Sequence, residues 1–270
     1  MPASEVVDLE HQAARLAEAV RDAGALALAM FKTPLKSWTK GEALSPVSDA
    51  DIAVDVLLRE RLTGNEPSIG WLSEESVDDP ARLDARYVWI VDPIDGTRAY
   101  IAGLPDWAVS AALVENGRPV AACLYAPVTD EFFVAVAGLG ATRNGVAIAA
   151  TPGAQIEDAR IAGPRKFLDQ LQTIAPPFAV MPRTRSLALR LARVAEGTYE
   201  AAIAGGNSHD WDLAAADLLV HEAGGALTSF DGGAVTYNRP VPRHGMLVAA
   251  GRDRHAALIE LFRDERLAAL

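Results

Sequence analysis

Two aspartates three residues apart, Asp92 and Asp95, close the apolar run of Trp89-Ile90-Val91-Asp92-Pro93-Ile94-Asp95-Gly96-Thr97. Three more acidic residues stand where an element should begin or end: Asp51, Glu74 after Trp71-Leu72, and Asp212 behind Trp211. Should these carboxylates converge, their repulsion must be offset, and hard divalent cations with oxygen ligands do that. No His or Cys accompanies them at ligand spacing, so Mg²⁺ is expected and zinc is disfavoured. Two or three Mg²⁺ ions would bind phosphate oxygens, lower the pKa of a water and stabilise a departing alkoxide. Gly96 and Thr97, in a turn that opens a helix, would present backbone N–H groups to the same phosphate.

The elements that must carry these groups can be read from periodicity. Val6 to Phe31 repeats apolar residues at helical spacing, with a break expected near Gly24. Thr39 to Pro46 reads as a polar loop, and Ser48-Asp49-Ala50-Asp51 opens a second helix through Leu62. Pro67 to Trp71 reads as a strand approach and Asp78-Asp79-Pro80 as a turn. Tyr87 to Val91 is a strand that Pro93, lacking an N–H, should end. Trp107 to Val114 and Pro119 to Ala126 form a hairpin around Asn116-Gly117, followed by strands at Glu131 to Val136 and Gly145 to Ala149.

Ala150 to Ala154 divides the chain into an N-terminal unit (1–150), with an antiparallel sheet and most acidic positions, and a C-terminal unit (151–270). The second unit offers strands at Arg160 to Ala162, Phe178 to Met181, Leu227 to Ser229 and Met246 to Ala250. Its helices fall at Lys166 to Thr173, Ser186 to Ala195, Trp211 to Ala223 and His255 to Leu267. Ser186 is the expected N-cap of one, and Gly224-Gly225 the C-cap of another. Separate blocks of helices and mostly antiparallel strands indicate a layered α+β architecture.

The 270 residues carry a net charge of −11, with no Lys/Arg cluster long enough to track a phosphate backbone, so a nucleic acid polymer is not an expected partner. An anionic small molecule remains compatible, because bound cations invert the field of an acidic cleft. No apolar run reaches the roughly 20 residues of a membrane span. The acidic opening from Met1 to Glu10 lacks a signal-peptide core, and the single Cys123 suits a reducing compartment. A cytoplasmic location is the expectation.

Four blocks then resemble the inositol monophosphatase family of lithium-sensitive, Mg²⁺-dependent phosphatases. They are Pro46-Val47-Ser48-Asp49-Ala50-Asp51, Ser73-Glu74-Glu75-Ser76, Trp89 to Thr97, and Trp211-Asp212 through Glu222-Ala223-Gly224-Gly225. The resemblance implies an αβαβα sandwich, a homodimer, and a small phosphorylated metabolite as substrate. By position it makes Glu74, Asp92, Asp95, Asp212 and the carbonyl of Ile94 metal ligands. It makes Thr97, with Glu74, the group that orients the attacking water, and Asp51 the acceptor of the Thr97 proton. Attack would be in line without a phosphoenzyme, Asp95 assisting the leaving oxygen. Asp95, Gly96, Thr97, Ser186, Ala188 and Arg165 fall at substrate contacts, and Lys40 near a third metal.

Two departures bear on the substrate. Ser73 replaces a common glycine beside Glu74, a change the ligand tolerates. Gly205 stands where inositol-specific members carry a hydroxyl-binding glutamate, which weakens recognition of inositol. Arg165 or Lys166 could instead hold a second phosphate, as in a 3′(2′),5′-bisphosphate nucleotidase acting on 3′-phosphoadenosine 5′-phosphate. Inositol phosphate, histidinol phosphate and fructose bisphosphate stay open beside it.

Other chemistries fit less well. An aspartyl-phosphate mechanism needs aspartates at i and i+2, but Asp92 and Asp95 are at i and i+3. A two-carboxylate glycosidase leaves Glu74, Asp212 and Thr97 without a role, and no P-loop occurs. A non-catalytic, metal- and phosphate-binding regulatory protein is the alternative of another class.

Overall fold

The computed structural model describes residues 7–34, 36–40, 45–64 and 68–264. Helix α1 (Leu9–Met30) is capped by Asp8, whose side chain accepts from the N–H groups of Glu10 and His11. It is followed by strands β1 (Ser37–Lys40) and β2 (Ser45–Ser48), helix α2 (Asp49–Thr63) and strand β3 (Ile69–Ser73). After a short 3₁₀ turn come β4 (Tyr87–Asp95), α3 (Thr97–Ile101), β5 (Ala108–Glu115), β6 (Arg118–Ala126) and β7 (Glu131–Val136). The first half closes with β8 (Gly140–Arg143) and β9 (Val146–Ala147).

The second half runs β10 (Arg160–Ala162), α4 (Arg165–Leu171), β11 (Ala179–Val180), α5 (Leu187–Ala195), β12 (Ala201–Ala204) and β13 (Ser208–His209). It ends with α6 (Asp210–Glu222), β14 (Gly225–Ser229), β15 (Arg243–His244), β16 (Leu247–Gly251) and α7 (Arg252–Asp264).

Strands β3 to β9 lie in chain order in one seven-stranded sheet, antiparallel except for β3 beside β4. A second sheet has the order β11-β10-β12-β16-β14, parallel on its first side and antiparallel on its second. One face of the large sheet packs on α1 and α2 through Trp71, Trp89, Val91, Leu113 and Cys123. Its other face meets α5 and α6, which also cover the second sheet. Phe167, Leu171, Leu258 and Phe262 of α4 and α7 close the outer face of the second sheet. The layers are therefore α, β, α, β, α, as the resemblance implies. Strand β4 is buried along its whole length because helices flank both faces: Val88 and Ile90 point one way, Trp89 and Val91 the other.

Several elements differ from the sequence reading. Ser37–Lys40 pairs with Ser45–Ser48 as a hairpin where a loop was expected, residues 41–44 lying outside the described set. Pro67 also lies outside it. Strand β8 was not foreseen, and Asn144-Gly145, both at positive φ, turn it into β9. Strand β12 was missed because Ala201-Ala202-Ile203-Ala204 has one β-branched residue and no aromatic, yet it lies at the centre of the second sheet with all four residues buried. The closing helix starts at Arg252 rather than His255.

Helix α1 is unbroken at Gly24. The glycine serves packing: a Cβ there would overlap the ring of Tyr125 on β6. Gly24→Ala should lower stability by about 1 kcal/mol, overpacking outweighing the gain in helix propensity. Urea unfolding checks this, and a raised midpoint would contradict the packing role.

Candidate active site

In a regular strand, residues three apart face opposite sides of the sheet. Strand β4 escapes that rule. Asp92 pairs with Ser110 and Asp95 with Ala108, so three steps on β4 match two on β5. This one-residue bulge brings both carboxylates to the same cleft, and Pro93 sits inside it, where no ladder N–H is required.

Gly96 then turns the chain with φ of +98° into α3. A Cβ at Gly96 would lie 2.9 Å from the carbonyl oxygen of Asp106 and 3.3 Å from the amide of Ser186, so only glycine fits. The turn places the Thr97 Oγ1 3.0 Å from Asp51 Oδ1 and 3.0 Å from the carbonyl oxygen of Ile94. Asp51 is fixed by its own helix start. The Ser48 amide and hydroxyl both donate to Asp51 Oδ2, at 2.8 and 2.6 Å, leaving Oδ1 for Thr97.

Asp95 is held by the beginning of α5. Its Oδ2 accepts from the Ser186 hydroxyl and the Ala188 amide, both at 2.6 Å, and its Oδ1 from the Leu187 amide at 3.2 Å. Asp212 occupies the first turn of α6 and accepts from the His209 amide at 2.6 Å. Carboxylates at such helix starts meet the positive end of the backbone dipole. The His209 ring stacks on Trp211, with centroids 4.6 Å apart.

Carboxylate oxygens of Asp92, Asp95 and Asp212 lie within 4.8 Å of one another. With Glu74, Gly96, Thr97 and Arg183 they border a cleft of about 380 Å³. Burial, opposed by Lys40 and reinforced by Asp212 and Glu75, pushes Glu74 up to about 8. Burial and the charge of Asp212 push Asp95 up to about 7, against its three hydrogen bonds. Asp92 is likewise raised, by burial first and then by Glu74, Asp95 and Asp212. These groups are crowded beyond what their own hydrogen bonds relieve. The donor set is all oxygen, which fits a hard divalent cation. Lys40 already supplies one positive charge, 3.3 Å from Glu74 and 2.6 Å from Glu75.

Thus Glu74, Asp92, Asp95, Gly96, Thr97 and Asp212 share one cleft, Asp51 and the Ile94 carbonyl stand directly behind Thr97, and Lys40 pairs with Glu74. The three remaining expected substrate contacts fall in other places. Ser186 and Ala188 are fully buried and donate to Asp95, so they brace that carboxylate from behind. Arg165 borders a neighbouring cleft and pairs with Asp169 at 2.8 Å. Arg98, on the same cleft wall as Thr97, was not foreseen, since an exposed arginine in a five-residue helix carries no pattern of its own.

A sequence model of the inositol monophosphatase family matches residues 8–267. The chain belongs to this family. Among its relatives in the inositol monophosphatase family, an inositol-1-monophosphatase of Rhizobium meliloti (strain 1021) is 35% identical over 199 residues, covering 69% of this chain and 73% of that protein. The Nus factor SuhB of Escherichia coli (strain K12) is 32% identical over 226 residues, covering 80% and 84%. Among solved structures, the extragenic suppressor protein suhB of Bartonella henselae superposes with a TM-score of 0.81 at 30% identity, covering 93% and 97%. Inositol monophosphatase from Anabaena (Nostoc) sp. PCC 7120 gives 0.78 at 26% identity, covering 98% and 100%. Among the described residues no helix is long and apolar enough to cross a membrane.

Proposed function

We propose that this protein is a Mg²⁺-dependent phosphomonoesterase acting on a small phosphorylated metabolite, as an inositol-1-monophosphatase does. The observation that carries the reading is the convergence of Asp92, Asp95 and Asp212 beside a threonine hydroxyl held by a buried carboxylate. Glu74, Asp92, Asp95, Asp212 and the Ile94 carbonyl would hold the metal, which supplies charge neutralisation at the phosphate and a more acidic water. Thr97, with Glu74, orients the water, while Gly96 and Thr97 offer backbone donors to the phosphate. Asp51 receives the Thr97 proton as Thr97 accepts one from the water. Burial raises Asp51 from its ordinary value despite its bonds to Ser48 and Thr97, the direction that makes a carboxylate a better base. A phosphorus–oxygen bond forms to the water as the ester bond breaks, Asp95 assisting the leaving oxygen.

Family membership further supports a lithium-sensitive, cytoplasmic homodimer. A non-catalytic regulatory protein would instead bind Mg²⁺ and phosphate without turnover. Phosphate release from a panel of inositol phosphate, histidinol phosphate, fructose bisphosphate and 3′-phosphoadenosine 5′-phosphate separates the two. Thr97→Val should lower kcat about a hundredfold while leaving Mg²⁺ affinity within about threefold, and Thr97→Ser should retain most activity. An unchanged kcat in Thr97→Val would remove the threonine from the mechanism.

A further inference from the structure

Helix α6 carries three aspartates, and they do not face the same way. Asp210 and Asp217, seven residues apart, share one face of the helix. Asp212, two residues from Asp210, lies about 200° round the axis from it. Asp212 borders the carboxylate cleft with Glu74, Asp92 and Asp95, whereas Asp210 is fully buried away from it.

A carboxylate sealed into a protein is costly unless its oxygens are met. Those of Asp210 are met by a single segment, the one that runs from β14 to β16 and includes β15. A carboxylate only accepts, so His244 Nε2 donates to Asp210 Oδ1, at 2.6 Å. The Asn238 amide donates to Oδ2 at 2.7 Å, and the Asp210 amide in turn donates to the Pro242 carbonyl at 3.1 Å. Two turns along α6, Asp217 accepts from the Tyr237 hydroxyl at 2.9 Å. The segment therefore grips one face of α6 at two levels.

This segment is itself anchored. Arg243 and His244 pair with His209 and Ser208 as β15 beside β13, and the Asn207 amide donates to the His244 carbonyl at 3.0 Å. On its other side, Arg82 Nη1 donates to Asn238 Oδ1 at 2.7 Å, and Asn238 Nδ2 to the Arg82 carbonyl at 3.0 Å. Arg82 is buried and pairs with Asp78. The His244 ring is buried as well, its centroid 5.6 Å from that of Tyr237. With side-chain tips about 5–6 Å from a helix axis, a rotation of about 10° shifts them by about 1 Å. Mg²⁺ demands near-ideal octahedral geometry, so an error of that size at Asp212 matters.

We propose that Asp210 and His244 are positioning residues for the metal site: their bond sets the rotation of α6 and so aims Asp212 into the cleft. The assignment rests on Asp212 as a Mg²⁺ ligand and extends that reading to two residues that line no part of the cleft.

Its test is calorimetric Mg²⁺ titration of the substrate-free protein in the parent, His244→Gln, His244→Asn and His244→Phe. Glutamine returns an N–H near the place of Nε2, asparagine carries the same amide one methylene short of it, and phenylalanine has no donor. His244→Asn and His244→Phe should each bind Mg²⁺ about tenfold more weakly, the low end for groups behind a metal ligand, and His244→Gln should recover most of the affinity. Charge alone predicts the opposite sign or no change, because losing an imidazole takes no negative charge from the site. Gly24→Ala, destabilised on another side of the molecule, should bind Mg²⁺ as the parent does. Unchanged affinity in both loss variants, equal losses in His244→Asn and His244→Gln, or a matching loss in Gly24→Ala would overturn the assignment and leave the phosphatase reading intact. A parent that binds no Mg²⁺ would overturn both.

Discussion

Asp95→Asn should cut Mg²⁺-dependent phosphate release by about a thousandfold and weaken Mg²⁺ binding, yet leave the folded protein intact. The reason is the uneven demand on the two carboxylate oxygens. Oδ2 accepts two strong hydrogen bonds, from the Ser186 hydroxyl and the Ala188 amide, and the Ala188 amide can only donate. An asparagine must therefore turn its single oxygen toward α5. Its NH₂ then replaces Oδ1, which holds only the longer bond from Leu187, in a carboxyl that stands among Asp92 and Asp212. A donor would stand where a cation needs an acceptor.

The same substitution removes one charge from the crowd that raises Asp92 and Asp95. In the absence of metal, thermal stability of Asp95→Asn should match or exceed that of the parent, since a buried carboxylate repelled by its neighbours disfavours the fold. Calorimetric Mg²⁺ titration, phosphate release and unfolding in chelator form the test. Intact activity and metal affinity would exclude Asp95 as a ligand. Lost activity with collapsed stability would mean that its bonds to α5 are its main contribution.

Much of this site is legible in the chain because several carboxylates follow apolar runs, where burial makes a charge costly unless something compensates it. The family resemblance then orders Glu74, Asp92, Asp95 and Asp212 into one set. Strand periodicity alone does not bring Asp92 and Asp95 together; that depends on the bulge, whose only trace in the sequence is Pro93. Braces were harder to see than ligands. Ser186 and Ala188 look like cleft residues by position, and only the packing of α5 against the end of β4 shows that they face Asp95. At the fold level, Ala201–Ala204 escaped notice because burial between two neighbouring strands, rather than side-chain preference, makes it a strand.

Helix α5, which braces Asp95, is packed into the core through Leu189, Leu191 and Val194 and carries an ionic clamp at its opposite end. Arg193 donates both Nη groups to Glu131 of β7 at 2.6 Å and also reaches Glu196 at 2.7 Å. Arg143 of β8 bonds the same two carboxylates at 2.8 Å each. The Thr129 hydroxyl completes Glu131, which is only 5% exposed. Such a network need not exceed an apolar packing in stability, but removing one partner strands buried charge.

Arg193→Met should therefore cost about 3 kcal/mol, the low end of the range because Arg143 still serves Glu131. For a chain of this size that corresponds to a fall in Tm of about 6–12 °C. Adding Glu131→Leu should recover part of the loss, with a coupling above about 1 kcal/mol. Burial raises the Glu131 carboxyl, but Arg193, Thr129 and Arg143 together hold it below its usual 4.5. A carboxyl depressed in the folded state stabilises fully above its unfolded value and loses that contribution as pH falls through the folded one. The parent should thus lose this increment below about pH 4.5, and the double variant should show a flatter acid limb in urea unfolding from pH 3 to 7. Additive losses and parallel acid limbs would show that Arg193 acts through its aliphatic stem alone. If the clamp sets the position of α5, Arg193→Met should also lower Mg²⁺ affinity at temperatures where it remains folded, because the donors that aim Asp95 ride on the same helix.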